Sequence, residues 1–148
     1  MRYPALLEQD DGSTVVTFPD CPGCVSQADE GEDASALAAD ALAGWLESHL
    51  AHGEAPPRPS SRPRKRAGAK LAWVPVDARL AVRIGLRWAR QDAGLTQAQL
   101  ARRMKVSPQQ IAKFENPDTN LTLETISRIA RSLGVEVDVA FRHVGDVT

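Results

Sequence analysis

The hydrophobic pattern changes period several times along the chain, and each change marks an element. A short apolar run (Tyr3, Ala5, Leu6, Leu7) is followed by Asp10-Asp11-Gly12 and then by the β-branched residues Thr14, Val15, Val16 and Thr17. Two strand-like runs joined by Asp-Gly predict a β-hairpin. Pro4 has no N–H for a ladder, so it belongs at a strand start or an edge. Pro19 and the turn Cys21-Pro22-Gly23-Cys24 lead to a third short strand near Val25. The period then lengthens: Leu37, Ala41, Leu42, Trp45, Leu46 and Leu50 recur at helical spacing. Asp33 or Ser35 can cap this helix, which runs to about His52 and stops at Gly53.

Residues 55–70 hold Pro56, Pro57, Pro59 and Pro63, two serines and six bases, the composition of a linker. Residues 71–76 (LAWVPV) predict a strand. Asp77 caps a helix from Ala78 to about Ala93, closed by Gly94, with an apolar stripe at Leu80, Ile84 and Trp88. Arg79, Arg83, Arg87 and Arg90 form a second stripe, expected to be solvated and to add at most nonspecific attraction for phosphate. Two short helices follow around a tight break at Lys105-Val106-Ser107, then a helix over 122–133 ended by Gly134. Val135, Val137, Val139 and Phe141 alternate with polar positions, which predicts a half-buried terminal strand over 135–142. Such a strand needs a partner. The candidates are the same strand of a second subunit or the strand at 71–76, and a homodimer is expected.

Charge divides the 148 residues further. Up to Ala55 eleven carboxylates face the single base Arg2, a net of −10; from Pro56 onward 17 bases face 8 acids, a net of +9. Two modules with different partners are implied, the acidic one suited to a basic partner and the basic one to a polyanion. No apolar run approaches the ~20 residues of a membrane span, and the N-terminus lacks a signal pattern. The expectation is a cytoplasmic protein with reduced thiols and no membrane association.

The sharpest motif is 96–116, TQAQLARRMKVSPQQIAKFEN. Thr96 caps one helix, with Leu100, Ala101 and Met104 inside; Ser107 caps the next, with Pro108 at its first position and Ile111, Ala112 and Phe114 following. This resembles the helix-turn-helix of the Cro/C1-like (Xre) repressor family over residues 86 to about 139. Gln97, the small Ala101, Val106-Ser107, Ile111 and Glu115-Asn116 carry the resemblance. Lys105 departs from it, since the family commonly has Gly there. The resemblance implies that the second helix enters the major groove. Ser107, Pro108, Gln109 and Gln110 would lie on its leading turn and Lys113 one turn later, with Gln suited to adenine and Lys to guanine or phosphate. Gln97 would meet phosphate through its backbone N–H and amide, and Asn116, Thr119 and Asn120 from the following loop.

Both cysteines sit in FPDCPGCVSQADE (18–30). Cys21, Cys24, His49 and His52 make a nominal ligand set, but 24 residues separate the pairs and the histidines are close-set, a poor match to zinc spacing. A thioredoxin-like pair would open a helix; here the turn leads to extended chain. A hairpin, this turn and an alanine-rich helix together resemble the N-terminal domain of HicB-type antitoxins over residues 1–76. Phe18, Pro19, Asp20, Pro22, Gly23, Cys24 and Gln27 match, whereas Ala28 replaces a usual Gly and Cys21 a usual apolar residue. The pair is then two small side chains buried or half-buried in a turn.

The fold class expected is α+β. It comprises an N-terminal β-β-β-α-β domain over 1–76, partial RNase H-like by the resemblance, whose linker at about 55–70 precedes its last strand. An all-α helix-turn-helix domain with a terminal strand follows over 78–148. No strand-spaced carboxylate cluster supports catalysis, so no catalytic residue, metal or cofactor is expected. The resemblance implies an antitoxin that covers the catalytic histidine and RNA-binding face of a small basic HicA-type ribonuclease toxin. It also implies repression of its own operon at a palindromic operator, as a homodimer or higher homo-oligomer. The alternatives are a stand-alone Xre-type regulator with a ligand-sensing or dimerising N-terminal domain and, from the enzyme class, a metal-dependent nuclease or thiol enzyme.

Overall fold

A computed structural model describes residues 1–143. In chain order it has β1 (Arg2–Asp10), β2 (Ser13–Thr17), β3 (Val25–Ala28), α1 (Ala34–Ala51), β4 (Lys70–Pro75), α2 (Ala78–Asp92), α3 (Gln97–Met104), α4 (Pro108–Phe114) and α5 (Leu123–Leu133). The four strands form one antiparallel sheet in the order β3-β2-β1-β4. Asp11 and Gly12 both take positive φ (45° and 85°), the right-handed fit of a two-residue hairpin turn, and they set Asp10 opposite Ser13. β2 pairs with β1 only from Leu6 onward, so at Pro4 one side of β1 has no ladder to break.

α1 starts where Asp33 accepts hydrogen bonds from the N–H groups of Ser35 and Ala36. Its buried residues Ala38, Leu42, Leu46 and Leu50 recur every fourth position and pack on Tyr3, Ala5, Val16, Phe18 and Val74 of the sheet side. Each such leucine stabilises the fold by about 1.5–3 kcal/mol over exposure. Leu80 and Ile84 of α2 complete this core. A second core joins Leu86 of α2 to Leu100, Ala101, Met104, Ile111, Phe114, Ile129 and Leu133. α2 is therefore apolar on two faces. One face packs against the sheet core, and the other (Val82, Leu86, Ala89) against the helical core.

Burial on both sides corrects the expected solvated stripe. Arg79 is exposed, but Arg83 and Arg87 are only 2% and 3% exposed and Arg90 is mostly covered. With α2 walled in, these guanidiniums meet carbonyl oxygens and a buried carboxylate rather than water.

Residues 55–70 lie down as a strap. Tyr3 Oη donates to Pro57 O (2.6 Å), Trp88 Nε1 to Pro56 O (2.8 Å) and Ser60 N to Asp20 Oδ2 (2.7 Å). Arg58 pairs with Asp92 and stacks 5.2 Å over Trp88, and Arg66 pairs with Glu8 at 3.0 Å.

The expected terminal strand is a second correction. Among the described residues, 135–142 join no ladder, and β4 pairs only with β1. A strand requires a hydrogen-bonding neighbour, and none of the described strands offers one, so Val139 and Phe141 stand 62% and 97% exposed. Among the described residues no helix is long and apolar enough to cross a membrane.

Candidate nucleic-acid interface

The helix pair is built by its caps. Thr96 Oγ1 accepts from Gln99 N (3.1 Å) while Gln99 Oε1 accepts from Thr96 N (2.8 Å), a reciprocal box that starts α3. Lys105 ends α3 in the left-handed conformation, φ 56° and ψ 43°, where a non-glycine residue costs roughly 1 kcal/mol. The turn that the family pattern makes with Gly is thus kept with Lys. Ser107 Oγ accepts from Gln110 N (3.2 Å) and Pro108 fills the first position of α4.

Ile111 and Phe114 bury one face of α4. The opposite face leaves Pro108, Gln109 and Lys113 in solvent, with Gln110 half-buried beside them. Asn116 and Asn120 are exposed and Thr119 half-buried in the loop that follows. Asn116 Oδ1 accepts from Asp118 N (2.9 Å), which shapes that loop. Gln97 is half-buried, and its amide nitrogen donates to Glu115 Oε2 at 2.8 Å.

Glu115 is the residue whose role sequence reasoning missed. It is only 2% exposed and accepts from Arg87 Nε (3.2 Å), Arg90 Nε and Nη2, and Gln97. Burial pushes its carboxyl upward, but hydrogen bonds from Arg90 and Gln97 and the charges of Arg90 and Arg87 outweigh that. Its pKa lies below the ordinary range. The signal in the sequence was Glu-Asn at the motif's end with arginines on the preceding long helix, which spacing alone does not connect. Arg83 Nη1 donates to Phe114 O (3.0 Å), so three arginines of α2 grip the end of α4.

The N-terminal module carries a different surface. Ser13 Oγ donates to Asp29 Oδ1 (3.1 Å), which brings the β1–β2 turn next to the loop before α1. Asp10, Asp11, Asp29, Glu30, Glu32 and Asp33 are all exposed at this one end of the sheet. Cys21 and Cys24 are free and buried in the sheet core. Burial, then neighbouring Cys24 and Asp20, pushes the Cys21 thiol up to about 12, and burial pushes Cys24 up to about 11. Both are held as thiols, the unreactive form. His49 and His52 donate through Nδ1 to the carbonyls of Trp45 and Ser48 on their own helix. Among the described residues no group of three or more His, Cys, Asp or Glu is placed to hold a metal ion.

A sheet-and-helix module bearing acids and a capped helix-turn-helix bearing exposed Gln and Lys define a class, a DNA-binding protein with a second interaction module. Family profiles agree for both halves: "HicB_like antitoxin of bacterial toxin-antitoxin system" matches residues 3–79 and "Helix-turn-helix" matches residues 86–139. Antitoxin HicB 1 of Photorhabdus laumondii is 30% identical over 141 residues, covering 95% of this chain and 86% of that protein. Antitoxin HicB of Escherichia coli K12 is 26% identical over 140 residues, 94% of this chain and 98% of that protein. Two solved structures are also similar. The N-terminal domain of Burkholderia pseudomallei antitoxin HicB is 30% identical, with a TM-score of 0.42 over 52% of this chain and 99% of that one. A HicA3 and HicB3 toxin-antitoxin complex has a chain 25% identical, with the same TM-score and coverage. The chain belongs to the HicB antitoxin family and carries a helix-turn-helix domain behind its antitoxin module.

Proposed function

We propose that this chain neutralises a small basic HicA-type mRNA-cleaving ribonuclease toxin in the cytoplasm and represses its own operon by sequence-specific DNA binding. The observation that carries the reading is the union, in one chain, of a HicB-type module whose first 55 residues carry a net charge of −10 with a complete helix-turn-helix. A protein that grips RNA must be cationic, and an acidic cover both steers its approach and complements its binding face. The acidic end around Asp10, Asp11 and Glu30 is the region suited to that contact.

On the DNA side, Gln109 and Gln110 read base edges and Lys113 contacts guanine or phosphate. Ser107 and Pro108 set the leading turn. Asn116, Thr119 and Asn120 face phosphate, as does the first turn of α3 through its backbone N–H groups, because the amide of Gln97 is engaged by Glu115. Two copies joined through residues 135–142 present two such helices to a palindromic operator.

The test uses the purified full chain. It should stop RNA cleavage by the toxin encoded beside it at equimolar amounts and bind the DNA upstream of its own gene in preference to random duplex. Undiminished cleavage at excess antitoxin rejects the first half of the reading, and equal affinity for both duplexes rejects the second.

A further inference from the structure

Arg87 stands where both modules meet the end of the recognition helix. Its Nη1 donates to Leu50 O (3.2 Å), in the last turn of α1 where helix carbonyls carry partial negative charge, and to Glu54 O (2.9 Å), just past the end of that helix. Its Nε donates to Glu115 Oε2 (3.2 Å). The side chain is 4% exposed, so it cannot itself face DNA. Glu115 is the C-cap of α4, its N–H bonded to Ile111 O, and its carboxylate also holds Gln97, the first residue of α3. A single carboxylate thus joins the end of one helix of the pair to the start of the other, and a single guanidinium joins that carboxylate to the N-terminal module. The planar fork of arginine can serve these separate acceptors at once; the ammonium of lysine lacks that geometry.

We propose that Arg87 is a positioning residue for operator reading. It seats the recognition helix against the end of α1, so the N-terminal module is part of the DNA-reading geometry and not a passenger on a tether. The proposal rests on the base-reading role given above to the leading turn of α4. A buried, hydrogen-bonded charge suits this task because any shift of α4 against α1 leaves the guanidinium with an unsatisfied N–H donor, which is costly. Trp88, next in the chain, adds a parallel tie through Pro56 of the strap.

The experiment uses the full chain, its Arg87→Lys and Arg87→Met variants, and two duplexes of equal length. One is a site selected by the wild-type chain from a random library, and the other is random. All measurements are made well below each variant's melting midpoint, where loss of stability alone leaves affinity unmoved. Arg87→Met should lose about tenfold or more in affinity for the selected site, the worth of roughly one groove contact. Its affinity for random duplex should stay within about twofold, with the salt slope unchanged because no exposed cation is lost. Arg87→Lys should fall between wild type and Arg87→Met. Amide exchange should quicken together at residues 53–54 and 115–116.

Affinity for the selected site within about twofold of wild type for both variants overturns the proposal. So does equal loss on the two duplexes, which would make Arg87 a source of general attraction. Faster exchange confined to residues 115–116 overturns the link between modules. Should Arg87→Met fail to fold, Arg87→Lys carries the same comparison. If the wild-type chain selects no sequence at all, the base-reading role itself fails, an outcome separate from an unaffected Arg87 variant.

Discussion

Glu115 keeps a full negative charge at a position 2% exposed because Arg90, Arg87 and Gln97 surround it with donors. Its folded pKa lies below the ordinary value of 4.5, so its contribution to stability is complete above that value and drains away as pH falls through the folded value. Glu115→Ala should therefore cost about 3–5 kcal/mol at neutral pH, since it strands buried guanidinium charge. In urea unfolding, the gap between wild type and variant should narrow below roughly pH 4; a gap constant across the acid range would assign the stability elsewhere. Gln109 belongs to the opposite case, an exposed side chain with no task in the fold. Gln109→Ala should weaken binding to the operator by about 1–3 kcal/mol and leave stability unchanged. Equal loss on random duplex would show that it reads no bases.

Among the elements, α2 and the strap decide how the two modules relate. α2 gives Leu80 and Ile84 to one core and Leu86 to the other, so neither core closes without it. The apolar stripe at Leu80, Ile84 and Trp88 was legible at helical spacing. The second face at Val82, Leu86 and Ala89 was hidden, because a helix read as having one buried face has its other residues assigned to solvent. Proline and basic residues marked 55–70 as a linker, yet Trp88 and Tyr3 hold its carbonyls and Asp20 and Glu8 hold its N–H and guanidinium groups. Trp88→Phe keeps the ring under Arg58 but removes the donor to Pro56. It should cost about 0.5–1.5 kcal/mol and speed tryptic cleavage within residues 62–66 of the folded protein. Unchanged digestion would mean that the other bonds suffice.

At the scale of the whole molecule, the open feature is the tail. Val135, Val137, Val139 and Phe141 keep the alternation of a half-buried strand while standing 40–97% exposed, and under the dimer proposed above this segment would pair as a strand with its copy. A chain carrying Val137→Glu and Phe141→Glu should sediment as a monomer. Its operator affinity should fall by roughly 10²–10⁴-fold as two linked half-site contacts become one. A variant that remains dimeric would place the interface elsewhere.

The sequence by itself determined the elements from β1 to α5 and their kinds. Hairpin turn, helix caps and hydrophobic period are local properties, set by φ/ψ preference and by which face of a segment is apolar, and they also exposed the helix pair through Thr96, Ser107 and Pro108. Charge along the chain separated an acidic half from a basic one for the same reason, since it needs no knowledge of packing. Only the tertiary structure decided which charges are buried and what they hold. Arg83 and Arg87 read as surface residues, and Glu115 only as the end of a motif, until α1, α2 and α4 close around them, because desolvation and hydrogen bonding depend on neighbours tens of residues away. It also decided that residues 135–142 join no ladder among the described residues, since a ladder requires a second strand in space and no pattern along the sequence supplies one.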